Sequence, residues 1–166
     1  MKLLFDYIFK NKKIFLSIIL IYSIYCSLII GESWDERDRI NLGRIILNYL
    51  LSFGRIDEQI LYRENYSAIY WSISYLITKI FPSRFEIEIS HLINLSVALT
   101  TIFGIGRLNK ELFNKHVGRI SFFVLFFYPI FFGQMGFNSK DTILAFCNIW
   151  IAYLLIRYLK KQDIKK

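Results

Sequence analysis

The sequence is poor in the residues that build cross-links, metal centres and linkers: two cysteines, two prolines and eight glycines in 166 residues. Cys26 and Cys147 each fall inside an apolar block, too few and too separated for a disulfide framework, and no His or Cys spacing matches a zinc site. Their expected role is that of small packing residues. There is no glycine loop of the phosphate-cradling kind and no Gly-x-Ser-x-Gly elbow for a nucleophile. No internal repeat and no low-complexity stretch divides the chain, so it reads as one module, residues 1–166. Nothing in it signals a cofactor, and nothing indicates a divalent metal.

Polar surface is also scarce. Hydrophobic residues make up 55% of the chain and aromatics 18%, with a mean hydropathy of +0.40. A water-soluble domain holds about 45–50% apolar residues and spreads them with helical or strand periodicity. Here they come in long uninterrupted blocks, which points to a bilayer. The net charge of +8 would suit nucleic acid, but Lys and Arg flank the apolar blocks and form no single stripe. That placement follows the positive-inside rule, so the expected partners are membrane lipids and not nucleic acid. Lys10, Lys12 and Lys13 precede the first block, which is longer than a signal core and lacks a small-x-small cleavage site after it. It reads as a retained anchor.

The fold expected is an all-α membrane protein with about four transmembrane helices, over residues 14–30, 87–105, 120–135 and 142–158, plus juxtamembrane helices on the outer surface. A fifth apolar segment, Ile69–Phe81, is short and interrupted by Ser72, Ser74 and Thr78. If it crossed, the basic loop Arg107–Arg119 would lie outside, against the charge rule. It is therefore expected along the outer membrane surface, where Tyr66, Tyr70, Trp71 and Tyr75 suit the interface. Residues 31–86 then form one outer loop. Both termini are expected in the cytoplasm, the second marked by Arg157, Lys160, Lys161, Lys165 and Lys166, in a multi-pass protein of a bacterial-type inner membrane. Leu42, Ile45, Ile46, Tyr49 and Leu50 recur at helical spacing and predict an amphipathic helix within the outer loop.

Three polar clusters stand out. Glu32-Ser33-Trp34-Asp35-Glu36-Arg37-Asp38-Arg39 follows the first span. A carboxylate there could act as general base toward an acceptor hydroxyl, and a neighbouring Arg could pair with phosphate. The plainer reading is a solvated mixed-charge run. Asn138-Ser139-Lys140-Asp141 lies between the third and fourth spans on the same side as Asp35. Lys140 could hold a phosphate, while Asn138 or Asp141 could simply cap the fourth helix. Ser90, His91 and Asn94 sit near the outer end of the second span, His91 and Asn94 on one face, where interhelical hydrogen bonding competes with ligand binding.

In order and spacing, three stretches resemble the C-type membrane glycosyltransferase superfamily, in particular the N-terminal part of family 39-type protein O-mannosyltransferases and aminoarabinose transferases. They are Trp34-Asp35-Glu36; His91-Leu92-Ile93-Asn94 with the later Gly106-Arg107 and Gly118-Arg119; and Tyr128-Pro129 leading through Phe132-Gly133 to Asn138-Ser139-Lys140-Asp141. Ser139 replaces a proline common in the family, Gln134 an expected histidine, and Ser90 a basic residue. The resemblance implies sugar transfer from a polyprenyl-phosphate-linked donor to an acceptor on the outer face. Asp35, Glu36 and Asp141 would be the catalytic acids, with Asp35 the general base. Lys140, Arg37, His91 and Asn94 would contact the donor, and no metal is implied. Relatives carry more spans than the four expected here, so a membrane partner subunit or further spans would supply the rest of the donor site. The alternative is a non-catalytic small membrane protein, or a truncated remnant, that acts through helix–helix contacts with a partner.

Overall fold

Backbone groups in an apolar block must be bonded within their own segment, and the apolar blocks among the described residues form helix. A computed structural model describes residues 12–55 and 68–163. Lys10, Tyr66, Lys165 and Lys166 lie outside the described residues. The elements are α1 (Lys12–Ile29), α2 (Glu36–Leu51), α3 (Ala68–Thr78), a 3-10 turn (Ser83–Phe85), α4 (Glu86–Leu112), α5 (Lys115–Phe126), α6 (Pro129–Gln134) and α7 (Ser139–Asp163). The described residues contain no strand, so the protein is all-α.

Two stretches are long and apolar enough to cross a membrane, Ser83–Leu112 and Ser139–Gln162, with mean hydropathies of 1.5 and 1.7. The 18 residues of α1 reach about 27 Å, close to the thickness of the hydrocarbon core. The 11 described residues of α3 reach about 16 Å, about half the thickness of the hydrocarbon core. The expected third span, 120–135, is not one helix. It divides at Phe127-Tyr128 into α5 and α6, because Pro129 has no N–H to donate and drives Tyr128 into an extended conformation, ψ 114°.

Helix α4 is the central post, packed against α7, α5 and α1. Leu95, Ala98 and Ile102 on α4 meet Phe126 on α5 and Met135 after α6 in the buried core. A second, smaller core joins Leu42 and Ile46 of α2 to Trp71 of α3. A Cβ on Gly43 would overlap the Trp71 carbonyl oxygen, so this glycine lets α2 and α3 touch backbone to side.

Small hydroxyl residues are buried alongside the apolar core, and large apolar residues are exposed. Ser23, Ser27, Ser72, Ser74, Thr78, Thr101 and Thr142 are buried, while Ile14, Ile18, Ile21, Ile29, Leu144, Ile151 and Leu154 are exposed. Small hydroxyl residues between helices and branched apolar residues outside are what lipid as solvent selects. Cys147 is exposed on the same face of α7, not packed inside as expected.

Contacts between remote residues give the bundle two distinct ends. At one end, the Ser27 carbonyl of α1 meets His91 of α4, and Asn94 reaches the Met135 carbonyl. At the other, Phe15 of α1 meets Phe123 of α5, and Lys160 of α7 binds the Glu111 carbonyl of α4. Hence α1 rises as α4 descends, α5 and α6 return, and α7 descends again. The acidic cluster and the Asn138–Asp141 corner share the first end. The cations between Arg107 and Arg119, with Lys160, share the second.

Candidate active site

Helix α2 begins where α1 leaves off, and adjacent residues at a helix start point about 100° apart. Glu36 therefore turns inward and Asp35 lies along the rim. Glu36 is 4% exposed, His91 0% and Asn94 2%. His91 Nε2 lies 2.7 Å from Glu36 Oε1, and Nδ1 lies 3.0 Å from the Ser27 carbonyl oxygen. A carbonyl can only accept, so Nδ1 carries a proton. Nε2 then either donates to an ionised Glu36 or accepts from its protonated carboxyl, and both arrangements leave the pair with no net charge. The second oxygen, Glu36 Oε2, accepts from the Ser33 backbone N–H at 2.6 Å. His91 thus ties α4 to α1 through Nδ1 and to α2 through Nε2, and Glu36 in turn holds the connection between α1 and α2 at Ser33.

Asn94 performs a similar task one turn further along α4. Its Nδ2 donates to the Met135 carbonyl at 3.0 Å, and its Oδ1 accepts from the Tyr70 hydroxyl at 3.1 Å. Burial pushes the Tyr70 phenol up from its ordinary value, which keeps the hydroxyl a donor.

Asp35 remains at the rim, with 18% of its side chain accessible. Its Oδ2 pairs with Arg39 Nη2, and Oδ1 accepts from the Ser33 hydroxyl at 3.3 Å. Arg39 is the hinge of the site. Its Nη1 donates to Ser139 Oγ at 3.0 Å and to the Phe137 carbonyl at 3.4 Å. Trp71 Nε1 also donates to Ser139 Oγ, at 3.2 Å. Helices α2 and α3 and the start of α7 thereby converge on a single hydroxyl.

Next to Ser139, Lys140 is half-buried and Asp141 is exposed in the first turn of α7. Asn138 Nδ2 donates to Asp141 Oδ2 at 2.8 Å, and the Asp141 N–H donates to Asn138 Oδ1 at 3.2 Å. Asn138 is thus the cap of α7, as one of the two sequence readings had it. Arg37 points away from this site. It forms a two-pronged pair with Glu32 at 2.5 and 2.8 Å, with 74% of its side chain accessible. The Arg37 hydrogen bond holds the Glu32 carboxyl below its ordinary value.

Of the residues expected from sequence, Asp35 is linked through Arg39 to Ser139, Lys140 and Asp141 follow Ser139 in the first turn of α7, Glu36, His91 and Asn94 are enclosed, and Arg37 lies to the side. Arg39, Ser139, Trp71 and Tyr70 join the site without having been expected as catalytic or donor-binding residues. For Arg39 the available signal was its position four residues after Asp35, one helical turn along. The crevice between Glu36, Arg39, Tyr70, Asn94 and Ser139 holds about 20 Å³, room for about one water and not for a sugar. The described residues contain no group of three or more His, Cys, Asp or Glu that could hold a metal ion.

Residues 68–166 match the dolichyl-phosphate-mannose-protein mannosyltransferase family, over more than half of the chain. The chain belongs to this family. Its members are membrane glycosyltransferases of the C type that use lipid-linked sugar donors, so the protein is an integral membrane protein of that class. No curated protein and no solved structure matches the chain. The matched residues of the mannosyltransferase family contain α3 to α7, with His91, Asn94, Lys140 and Asp141. Asp35 and Glu36 precede the matched region and are connected to it by the Arg39–Ser139 and Glu36–His91 contacts.

Proposed function

We propose that this protein is a module of an inverting glycosyltransferase that takes a sugar from a polyprenyl-phosphate-linked donor, with Asp35 as general base at the outer face of the membrane. The observation that carries this reading is the Arg39 bridge, which sets Asp35 beside the Ser139-Lys140-Asp141 corner despite about a hundred intervening residues. Asp35 is preferred over Glu36 because Glu36 has both oxygens engaged and is buried, whereas Asp35 Oδ1 holds only the long contact from Ser33.

In this reading the acceptor hydroxyl attacks the anomeric carbon while Asp35 takes its proton. The bond to the polyprenyl phosphate breaks, and the electron pair leaves with the phosphate oxygen. A cation near the departing phosphate stabilises the developing charge, and Lys140 stands on the same rim as Asp35. Asp141 is the second acid of that rim. Glu36, His91 and Asn94 act from below by fixing the helices that carry these groups. The basic end of the bundle then faces the cytoplasm.

The non-catalytic alternative draws on α7, whose apolar residues Leu144, Ile151 and Leu154 are uncovered and open to a partner helix. Asp35→Asn separates the two. With membrane insertion and melting behaviour unchanged, transfer from a polyprenyl-phosphate sugar should fall by about 10²–10⁴-fold. Transfer at the wild-type rate would sink the catalytic reading.

A further inference from the structure

Ser139 accepts two hydrogen bonds, and this limits what its hydroxyl can do next. A serine oxygen has two lone pairs and one proton. Arg39 Nη1 donates to Oγ at 3.0 Å and Trp71 Nε1 at 3.2 Å, so both lone pairs are filled. The hydroxyl is left as a donor only. Its own carbon and the two incoming donors take three of the four directions around the oxygen, and the proton takes the fourth. Among the described residues, nothing accepts that proton.

The surroundings favour an incoming oxygen that carries negative charge. Ser139 is the first residue of α7, where the helix dipole is positive. The bond from the Arg39 guanidinium polarises the hydroxyl further. Arg39 and Ser139 both line the crevice described above, and the Arg39 Nε–H is buried without a partner. Glu36, the carboxylate in that lining, has both oxygens engaged already. Room for about one water is room for one oxygen atom of a larger group. Arg39 also sets a spacing, since Nη2 holds Asp35 and Nη1 holds Ser139. Inversion needs base and leaving group on opposite faces of the anomeric carbon, and the two ends of one guanidinium keep carboxylate and hydroxyl apart.

We propose that the Ser139 hydroxyl binds the phosphate of the polyprenyl-phosphate-linked donor, by donating its proton to an oxygen of that group. This rests on the glycosyl-transfer reading above and adds to it a binding residue that neither composition nor resemblance singled out. The bond strengthens as the phosphate gains the electron pair of the broken sugar bond, so it favours the leaving group.

The test uses the full chain, purified in mild detergent, with native mass spectrometry comparing bound polyprenyl phosphate and polyprenol of the same chain length. Ser139→Ala should lower the affinity for polyprenyl phosphate about tenfold to a hundredfold and leave that for polyprenol unchanged. Ser139→Thr keeps the hydroxyl and should bind as the wild type does. Ser139→Asp keeps an acceptor for Arg39 and Trp71 but has no proton to give. It should therefore melt no lower than the wild type and still bind polyprenyl phosphate as weakly as Ser139→Ala. Wild-type affinity for polyprenyl phosphate in Ser139→Ala and Ser139→Asp, or an equal loss for polyprenol, would overturn the proposal. Binding is read without turnover, so the outcome is separate from that of Asp35→Asn. Loss of transfer in Asp35→Asn with unchanged binding in Ser139→Ala would remove Ser139 from the site and keep the base.

Discussion

His91 has both ring nitrogens engaged and no accessible surface, so its partner Glu36 is committed to holding the interior together. Removing one member of a buried pair leaves the other unsatisfied, at a cost of about 2–4 kcal/mol. Glu36→Ala should therefore lower the melting temperature in detergent. Glu36→Gln should lower it less, because its amide can still donate to Nε2 of a neutral His91. Melting of Glu36→Ala at the wild-type temperature would show that the contact contributes nothing. One residue earlier, Asp35 has kept an accessible side chain. Two neighbouring acids, alike in sequence, thus divide into a structural member and a candidate base through the 100° step of the helix.

At the scale of elements, the short helices decide how the site is assembled. Helix α3 lies against α2, with Trp71 donating to Ser139. Gly43 sets the separation of these helices. Gly43→Leu would force them apart at a cost of about 1–3 kcal/mol. Backbone amides of α3 should then exchange faster with solvent deuterium than in the wild type, while those of α4 keep their protection. Unchanged exchange in α3 would mean that something other than this contact docks it. The break at Pro129 has a comparable consequence, since it ends α5 and lets α6 and Met135 turn under Asn94.

For the whole molecule, the two chemically opposite ends of the bundle imply one orientation in the membrane. The end with Arg107, Lys110, Lys115, Arg119 and Lys160 is expected in the cytoplasm, and the end with Asp35 and Asp141 outside. In a background with Cys26 and Cys147 replaced by Ala, Ser83→Cys should react with an impermeant maleimide in intact cells. Phe113→Cys should react only after permeabilisation. Both positions are exposed, so a reversed pattern would invert the orientation.

Much of the architecture was readable from local signals. Long apolar blocks specify helices in a membrane, because no other open structure bonds its own backbone there. The hydroxyl-interrupted Ile69–Phe81 segment was readable as helix from its apolar run, and α3 covers Ala68–Thr78 of it. The division of the 120–135 segment was less visible, since its apolar residues run straight through Pro129 and hydropathy does not register a missing N–H. The pairings within the site were not readable at all. Glu36 meets His91 across 55 residues, and Arg39 meets Ser139 across 100. Sequence determined which residue types stand at each end of each helix. Only the packing of α1, α2, α3 and α7 around α4 decided which of them are enclosed, because the facing side of a helix depends on its rotation against its neighbours, and that rotation is set by contacts far apart in the chain.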